Sequence, residues 1–302
     1  MEHSLSATLE HFCGQNLSDA EIICIDDAST DNTRAILVDY SQRLPIRVIV
    51  LTERVSPGEA RNYGIHHAGG TYLLFCDGDD KLDLEPYREI SAAMEEKECP
   101  VAFTQYYEYD QSANILIDKR KGIKIPTTQR HTVIQRGEYL NRLFELTNCA
   151  CWNKIMRREF VVQNALSFPD LFYIEDMVFL MRVVFAADRI LCSDLYTYQY
   201  TMPRSNPLST DRNSLQHPDD IFSAFELLEE AMDQAAASKM YTTEQMDCIK
   251  KSLLHFCVTI LEHDESKLTG PDVDAFCRKA LHHLFRLRRK YVHYGTRWLE
   301  CK

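Results

Sequence analysis

In the first 80 residues, short runs of hydrophobic positions alternate along the chain with segments in which hydrophobic positions recur at helical spacing. Short apolar runs predict buried strands at Glu21 to Ile25, Ile46 to Leu51 and Tyr72 to Cys76. Apolar residues at spacings of three and four predict amphipathic helices over residues 4–17, 31–40 and 59–67. Alternating strands and helices predict an α/β fold with a parallel sheet. In such folds ligands bind beyond the carboxyl ends of the strands.

The pattern becomes wholly helical after Pro218. We therefore divide the chain into a domain over residues 1–205 and a helical C-terminal region over residues 206–302. The last predicted helix, residues 271–298, is rich in Lys and Arg although the chain carries a formal net charge of -11. A basic amphipathic helix can contact anionic lipid at a membrane surface. The alternative, which is the more common outcome, is a helix packed on its neighbours with its basic face in water.

Charge and composition narrow the class of protein. The net charge of -11 argues against a nucleic-acid partner. No apolar run reaches the roughly 20 residues that span a bilayer, and no basic segment followed by an apolar one opens the sequence. We therefore expect a cytoplasmic protein, peripheral to the inner face of the membrane if the basic helix binds lipid. The 11 cysteines include no Cys-x-x-Cys pair, which favours reduced core thiols over disulfides or a zinc site.

Carboxylates cluster at the ends of two predicted strands. Asp26 and Asp27 follow the first strand, and Asp77 to Asp80 follow the strand that ends at Cys76. Like charges at this spacing repel, so the clusters predict a bound cation or a ligand rich in hydrogen-bond donors. Mg²⁺ and Mn²⁺ take oxygen ligands, and Mg²⁺ commonly joins one or two carboxylates to substrate phosphates. The competing interpretation is an acidic turn that opens the next helix.

The motifs, taken in order, resemble those of a known enzyme family. They are EIICIDDASTDNT from Glu21, SPGEARNYGIHHAGGTYLLFCDGDD from Ser56, the segment 150–155, FPDLFYIEDMVF from Phe168, and the tyrosine-rich segment 196–200. This combination is similar to that of family 2 glycosyltransferases, which are inverting enzymes of GT-A fold. The resemblance implies a Rossmann-like α/β fold with a mixed, mostly parallel sheet flanked by helices. The resemblance implies a metal-dependent hexosyltransferase. Such an enzyme would move a sugar from a nucleoside diphosphate, UDP being favoured, to a glycan or glycolipid acceptor in cell-surface polysaccharide synthesis.

The resemblance assigns a metal site to the second acidic strand end. Asp77-Gly78-Asp79 matches the DxD motif of the family. Asp79 would coordinate Mg²⁺ or Mn²⁺ bridging the phosphates, and Asp77 would contact the ribose or the metal. Asp80 would support these residues or cap the next helix.

Further residues are candidates for binding the nucleotide. Asp26 or Asp27 would accept a hydrogen bond from the uracil N–H. The alternative is a helix cap that interacts with the helix dipole, or one Asp in each role. Arg61 would bind the diphosphate, the alternative being a simple ion pair with Asp27 or Asp77. Arg204 matches a basic residue near the diphosphate in a closing loop of the family.

The acceptor side is assigned to two other segments. Asp176 would be the general base, and the neighbouring Glu175 would help to orient the acceptor. The alternative is that the two residues only form an acidic first turn, which the helix dipole favours. A base acting on the face opposite the diphosphate implies inversion at the anomeric carbon. Trp152, Asn153 and Lys154 would shape the acceptor site, although Trp152 is equally well explained as a core indole.

The chain departs from the family pattern at its start. Most members begin with a strand of the type VSVIIPVYN in the middle of the sheet, and residues 1–17 match the helix that follows it. Its absence predicts unpaired edges on the two neighbouring strands and weak nucleotide binding. Three explanations compete: truncation, a sheet that has closed the gap, and a non-catalytic GT-A-like binding or scaffold protein. Truncation is favoured because the carboxylate motifs downstream are intact.

Overall fold

The computed structural model describes residues 2–111, 113–117, 130–141, 146–202, 216–217, 219–238, 240–247, 278–279 and 282–283. The chain separates into two compact units, residues 1–208 and residues 209–302. Arg204 and most of the basic segment 271–298 lie outside the described residues, so the closing loop and the basic helix stay predictions. Among the described helices, none has the length and apolar character needed to cross a membrane.

The first unit contains the elements predicted from the sequence. Its helices are α1 Glu2–Cys13, α2 Thr33–Tyr40, α3 Pro57–His67, α4 Leu84–Glu96, α5 Arg136–Asn141, α6 Arg158–Gln163 and α7 Glu175–Ala186. Its strands are β1 Ile22–Asp26, β2 Ile46–Val50, β3 Tyr72–Leu74, β4 Lys81–Leu82, β5 Val101–Asp110, β6 Ile115–Ile117, β7 His131–Gln135, β8 Lys154–Arg157 and β9 Arg189–Met202. The second unit contains α8, Asp220–Ala237. All six elements predicted in the first 80 residues are confirmed.

These strands form two sheets. β1 and β2 pair in parallel, and the other seven strands form a sheet of order β3-β8-β5-β9-β4, with β6 on β5 and β7 on β9. Only β1–β2 and β5–β9 are parallel pairs among the described strands, whereas the other five pairs are antiparallel. The expected mixed α/β architecture with flanking helices is confirmed. The expectation that most pairs are parallel is wrong, because β8 and β9 place antiparallel partners beside β3, β4, β5 and β7.

β1 and β3 are both edge strands. Among the described strands, β1 pairs only with β2 and β3 pairs only with β8. A side chain links their beginnings, because the Glu21 carboxylate accepts hydrogen bonds from the N–H groups of Gly69 and Gly70 at 2.6 and 2.9 Å. Ile22 to Ile25 of β1 are only half-buried, although the run is wholly apolar. These features agree with the unpaired edges predicted from the sequence.

α1 is part of the hydrophobic core. Its residues Leu5, Leu9 and Phe12 belong to the same buried cluster as Ile90 of α4 and Trp152 before β8. Leu9 is only 2% exposed. Burial of this apolar face fixes α1 against the sheet, because surface removed from water stabilises the fold in proportion to its area.

Replacing Leu9 with Ala should lower the free energy of unfolding by about 3 kcal/mol, because the change leaves a cavity in the core. Urea denaturation of the two proteins measures this loss. Val38→Ala is the matched control, since Val38 lies on α2 with 60% of its surface exposed and its truncation should cost no more than about 0.5 kcal/mol. Equal losses in the two variants would show that α1 is not packed on the core.

Candidate active site

The Arg61 guanidinium lies between two carboxylates from distant parts of the chain. Its Nη1 donates to Glu175 Oε1 at 2.6 Å, and its Nη2 donates to Asp77 Oδ1 at 3.1 Å. The Arg61 side chain is 17% exposed, against 9% for Glu175 and 38% for Asp77. The ion pair with Asp77 was one of the two alternatives for Arg61. Phosphate binding by Arg61 stays a prediction.

Local structure in α3 holds Arg61 at this position. Ser56 caps the helix by accepting the N–H of Glu59 at 3.2 Å. A Cβ on Gly58 would lie 2.4 Å from the carbonyl oxygen of Pro169, so only glycine allows this approach. Asn62 exchanges two hydrogen bonds with the backbone of Phe168, at 3.0 and 2.9 Å. α3 is thereby fixed against the segment that leads to Glu175.

Glu175 and Asp176 form the first turn of α7. Ile174 precedes them with a φ of 65°, a left-handed conformation that costs energy in a β-branched residue. Burial raises the pKa of Glu175 to about 7, helped by the charge of Asp176 and opposed by Arg61. Burial also raises the pKa of Asp176, with Arg61 opposing this shift and Asp77 adding to it. Two carboxyl groups therefore titrate nearer to neutrality than free carboxyl groups do.

The three aspartates of the DGDD turn have different environments. Asp77 is half-exposed and paired with Arg61, and Asp79 is exposed. Asp80 is 1% exposed, and its carboxylate accepts the Tyr198 hydroxyl and the Thr201 N–H, each at 2.7 Å. Asp80 therefore ties the turn to β9.

The same tyrosine reaches Asp77. The Tyr198 hydroxyl oxygen accepts the N–H of Asp77 at 3.1 Å, so one side chain contacts both ends of the acidic turn. Burial and the charge of Asp77 raise the pKa of Asp80 to about 8. Asp80 does not cap α4, because Asp83 occupies the N-cap position. Of its two expected roles, only support of the acidic turn is present.

Asp26 and Asp27 also differ. Asp26 is 2% exposed, and its two oxygens accept hydrogen bonds from Arg34 Nε at 2.6 Å and from the Ser29 N–H at 3.1 Å. Burial alone would raise the pKa of Asp26, but these hydrogen bonds hold it below its usual value. Asp27 accepts the Val55 N–H at 2.7 Å, and its side chain is 32% exposed. Asp27 is thus the more accessible acceptor of the two.

Trp152 lies in an aromatic cluster. Its ring stacks on Tyr198 with centroids 4.5 Å apart and meets the edge of Tyr106 at 4.7 Å. Only 7% of Trp152 is exposed. This is the environment of a core indole, which was the alternative to contact with an acceptor sugar.

Asn153 and Lys154 are fully buried at the start of β8. Lys154 Nζ donates to the side-chain oxygen of Asn153 at 2.7 Å, to Asn148 at 3.1 Å and to the carbonyl oxygen of Ala150. Asn153 donates to the carbonyl oxygen of Thr104 at 3.2 Å. Burial lowers the pKa of Lys154 to about 7. These contacts hold the loop before β8, and neither side chain is exposed to an acceptor.

Sequence reasoning missed the roles of Asn62 and Tyr198. Asn62 was visible beside Arg61 in a family motif, and Tyr198 lies in a run of alternating tyrosines. Their partners are 106 and 121 residues away along the chain. No local pattern indicates contacts at such separations.

The comparisons with known proteins agree with this arrangement. The model of the family "Glycosyl transferase family 2" matches residues 2–163. Cholesterol galactosyltransferase of Borreliella burgdorferi is 24% identical over 204 residues, which are 65% of this chain and 55% of that protein. Poly(ribitol-phosphate) beta-N-acetylglucosaminyltransferase TarS of Staphylococcus aureus is 27% identical over 69% of this chain and 34% of that protein. The chain therefore matches about half or less of the length of these two relatives.

A solved structure shows the same fold. The crystal structure of S. aureus TarS residues 1–349 in complex with UDP-GlcNAc has a TM-score of 0.59 and 19% identity, over 96% of this chain and 88% of that one. A second TarS structure, in complex with UDP, has a TM-score of 0.61. This likeness confirms the GT-A fold class expected from the sequence.

Replacing Arg61 with Ala should lower the free energy of unfolding by about 3 kcal/mol at pH 8, because it leaves the buried Glu175 carboxylate without its cation. The loss should be smaller at pH 5.5. Since the folded protein raises the pKa of Glu175 to about 7, its ionisation opposes folding as the pH rises, and Arg61 limits that cost. Denaturant unfolding at the two pH values measures the difference.

Arg88→Ala is the matched control. Arg88 also pairs with two carboxylates, Asp19 and Glu85, but these side chains are 58% and 88% exposed. Arg88→Ala should lower the free energy of unfolding only slightly, because solvent screens exposed ion pairs. This decrease should be the same at pH 5.5 and at pH 8. A loss for Arg61→Ala that does not depend on pH would contradict the role assigned to Glu175.

Proposed function

Because the chain belongs to glycosyl transferase family 2, we propose that it transfers a sugar from a nucleoside diphosphate, UDP in the first instance, to an acceptor hydroxyl. The contact between Arg61 and both Asp77 and Glu175 carries this proposal. It joins an acidic turn suited to a cation and phosphates with an acidic pair suited to proton transfer. A transfer between two substrates requires both kinds of chemistry in one site.

On the donor side, Asp27 would accept the uracil N–H, since its side chain is more accessible than that of Asp26. Arg61 would donate to the diphosphate, whose oxygens suit the forked guanidinium. The TarS structures with UDP-GlcNAc and UDP support the choice of a UDP-linked donor. Arg204 would add a second positive charge in the closing loop.

We also propose that Asp79 and Asp77 hold Mg²⁺ or Mn²⁺ together with the diphosphate. The exposed Asp79 and the half-exposed Asp77 supply oxygen ligands that fit these cations. Among the described residues, no cluster of three or more His, Cys, Asp or Glu side chains could hold a metal ion. Phosphate oxygens and water would complete the coordination, as is usual for Mg²⁺. The bound cation would offset the negative charge that develops on the leaving diphosphate.

On the acceptor side, Asp176 would take the proton of the attacking hydroxyl. Its raised pKa suits a base that works near neutral pH. Glu175, held by Arg61, would orient the acceptor. Attack from the face opposite the diphosphate forms the new glycosidic bond as the old bond breaks, and the anomeric carbon inverts.

The acceptor class is the least defined part of this proposal. The two relatives named above act, by their names, with cholesterol and with poly(ribitol-phosphate). A membrane-borne glycan or glycolipid in cell-surface polysaccharide synthesis is consistent with both. A cytoplasmic protein that reaches the inner face of the membrane through its basic C-terminal segment would meet such an acceptor.

Saturation with UDP and Mn²⁺ together should raise the melting temperature of the protein, and neither ligand alone should match the effect. At a hundred times the dissociation constant the native state gains about 2.7 kcal/mol. Asp79→Asn should lose the shift, while Asp39→Asn, an exposed aspartate on α2, should keep it. A shift that survives in Asp79→Asn would exclude the DxD metal site. No shift with the wild type would contradict donor binding by this chain.

Replacing Asp176 with Asn should reduce sugar transfer by about 10²-fold to 10⁴-fold, because the amide cannot take the acceptor proton. Binding of UDP with Mn²⁺ should stay unchanged, which calorimetry of the same variant measures. Asp170→Asn is the control, since Asp170 is an exposed aspartate in the same segment. Transfer at the wild-type rate by Asp176→Asn would assign the base to another residue.

A further inference from the structure

A row of polar side chains joins α1 to the acidic turn. Thr8 and His11 are three residues apart and lie on the same side of α1, and Gln15 follows two residues after the helix ends at Cys13. All three contact residues 78–84, which contain Asp79 and the start of α4. The apolar side of α1 lies in the core, as Leu9 shows. α1 thus contacts both the core and the acidic turn.

Thr8 makes the contacts closest to Asp79. Its Oγ1 lies 3.1 Å from the carbonyl oxygen of Gly78 and 2.9 Å from that of Asp80. The carbonyl oxygen of Ser4 within α1 is a third, longer contact at 3.5 Å. A threonine hydroxyl has one proton to donate, so these carbonyl groups share it, and the two in the acidic turn are the nearer ones. These two nearer groups belong to the residues on either side of Asp79. Thr8 is itself only 5% exposed, so water does not compete freely for the bond.

His11 and Gln15 continue the contact beyond the turn. His11 Nε2 lies 2.8 Å from Asp83 Oδ1. The Gln15 amide donates to the carbonyl oxygen of Leu82 at 2.8 Å and accepts the N–H of Leu84 at 2.7 Å. Thr8 and Gln15 therefore bind the backbone between Gly78 and Leu84, and His11 contacts the side chain of Asp83 in the same segment.

The direction of the Asp79 side chain depends on these backbone contacts. Among the described residues, no other side chain makes a hydrogen bond or ion pair with the Asp79 carboxylate, so its direction depends on how firmly its backbone is held. The Asp80 N–H closes the turn by donating to the carbonyl oxygen of Asp77 at 3.1 Å. Thr8 adds the contact that reaches both neighbours of Asp79.

We propose that Thr8 is a positioning residue for Asp79, holding the backbone so that the carboxylate faces the cation and diphosphate of the donor. The inference rests on the proposed function, and it assigns Thr8 no contact with the substrate. Residues that orient a metal ligand through hydrogen bonds commonly change metal affinity when they are replaced.

Thr8→Val keeps the branched shape and removes the hydroxyl. Titration calorimetry of UDP in saturating Mn²⁺ should give a dissociation constant about tenfold to a hundredfold weaker than that of the wild type. Thr8→Ser keeps the hydroxyl and should bind close to the wild-type value. Rescue by serine separates the hydrogen bond from the packing of the side chain.

Tyr40→Phe is the matched control. The Tyr40 hydroxyl, on α2, donates to α1 at the carbonyl oxygen of Ser6 and at Glu10 Oε2, at 3.2 and 3.0 Å. Its removal loosens α1 without touching the acidic turn, so stability should fall while the dissociation constant stays unchanged. Wild-type affinity in Thr8→Val, or an equal loss in Tyr40→Phe, would overturn the proposal.

Hydrogen exchange of the Asp80 amide gives a readout that does not depend on the ligand. Thr8→Val should speed this exchange more than Tyr40→Phe does, because only the first variant releases the turn. Equal exchange rates in the two variants would overturn the positioning role. If the wild type bound no UDP with Mn²⁺, the proposed function would fail, and the exchange rates would still decide whether Thr8 holds the turn.

Discussion

The fork of hydrogen bonds from Arg61 to Asp77 and Glu175 is the contact on which the candidate site depends. In addition to burial, the charge of Asp176 raises the pKa of Glu175, and the charge of Asp77 raises the pKa of Asp176. Without a cation among them, such carboxylates would repel one another or take up protons. The guanidinium stays charged at any physiological pH, so it can hold the group together whether or not a metal ion is bound.

The surroundings of this contact place it firmly. The glycine at position 58 lets α3 approach the segment before α7, and Asn62 fastens the two together. On the other side, Tyr198 and Asp80 tie the acidic turn to β9. The site is thus assembled from elements whose own positions are set by packing and by backbone hydrogen bonds. A geometry held in this way needs little rearrangement when a ligand arrives.

The sequence predicted those features that have a local cause. Each element in the first 80 residues follows from apolar spacing within a few residues, and the acidic clusters follow from being at strand ends. The direction of strand pairing could not be predicted in the same way, because β8 and β9 meet their partners across long separations. Motifs also could not separate Asp26 from Asp27, since the difference lies in the bonds from Arg34 and Ser29. Motifs also could not predict that Trp152, Asn153 and Lys154 are buried. The Trp152 indole packs on tyrosines from distant parts of the chain. The Lys154 ammonium is buried because of the conformation of the loop that contains Asn148.

The two edge strands have a consequence for the chain in solution. β1 and β3 each present a row of backbone donors and acceptors with no strand partner among the described residues. Such edges are templates for pairing with another extended chain, and natural proteins commonly protect them with charges, proline or a bulge. β1 is instead an uncharged apolar run up to its final aspartate. We therefore expect an added extended chain to pair with β1 more readily as protein concentration rises.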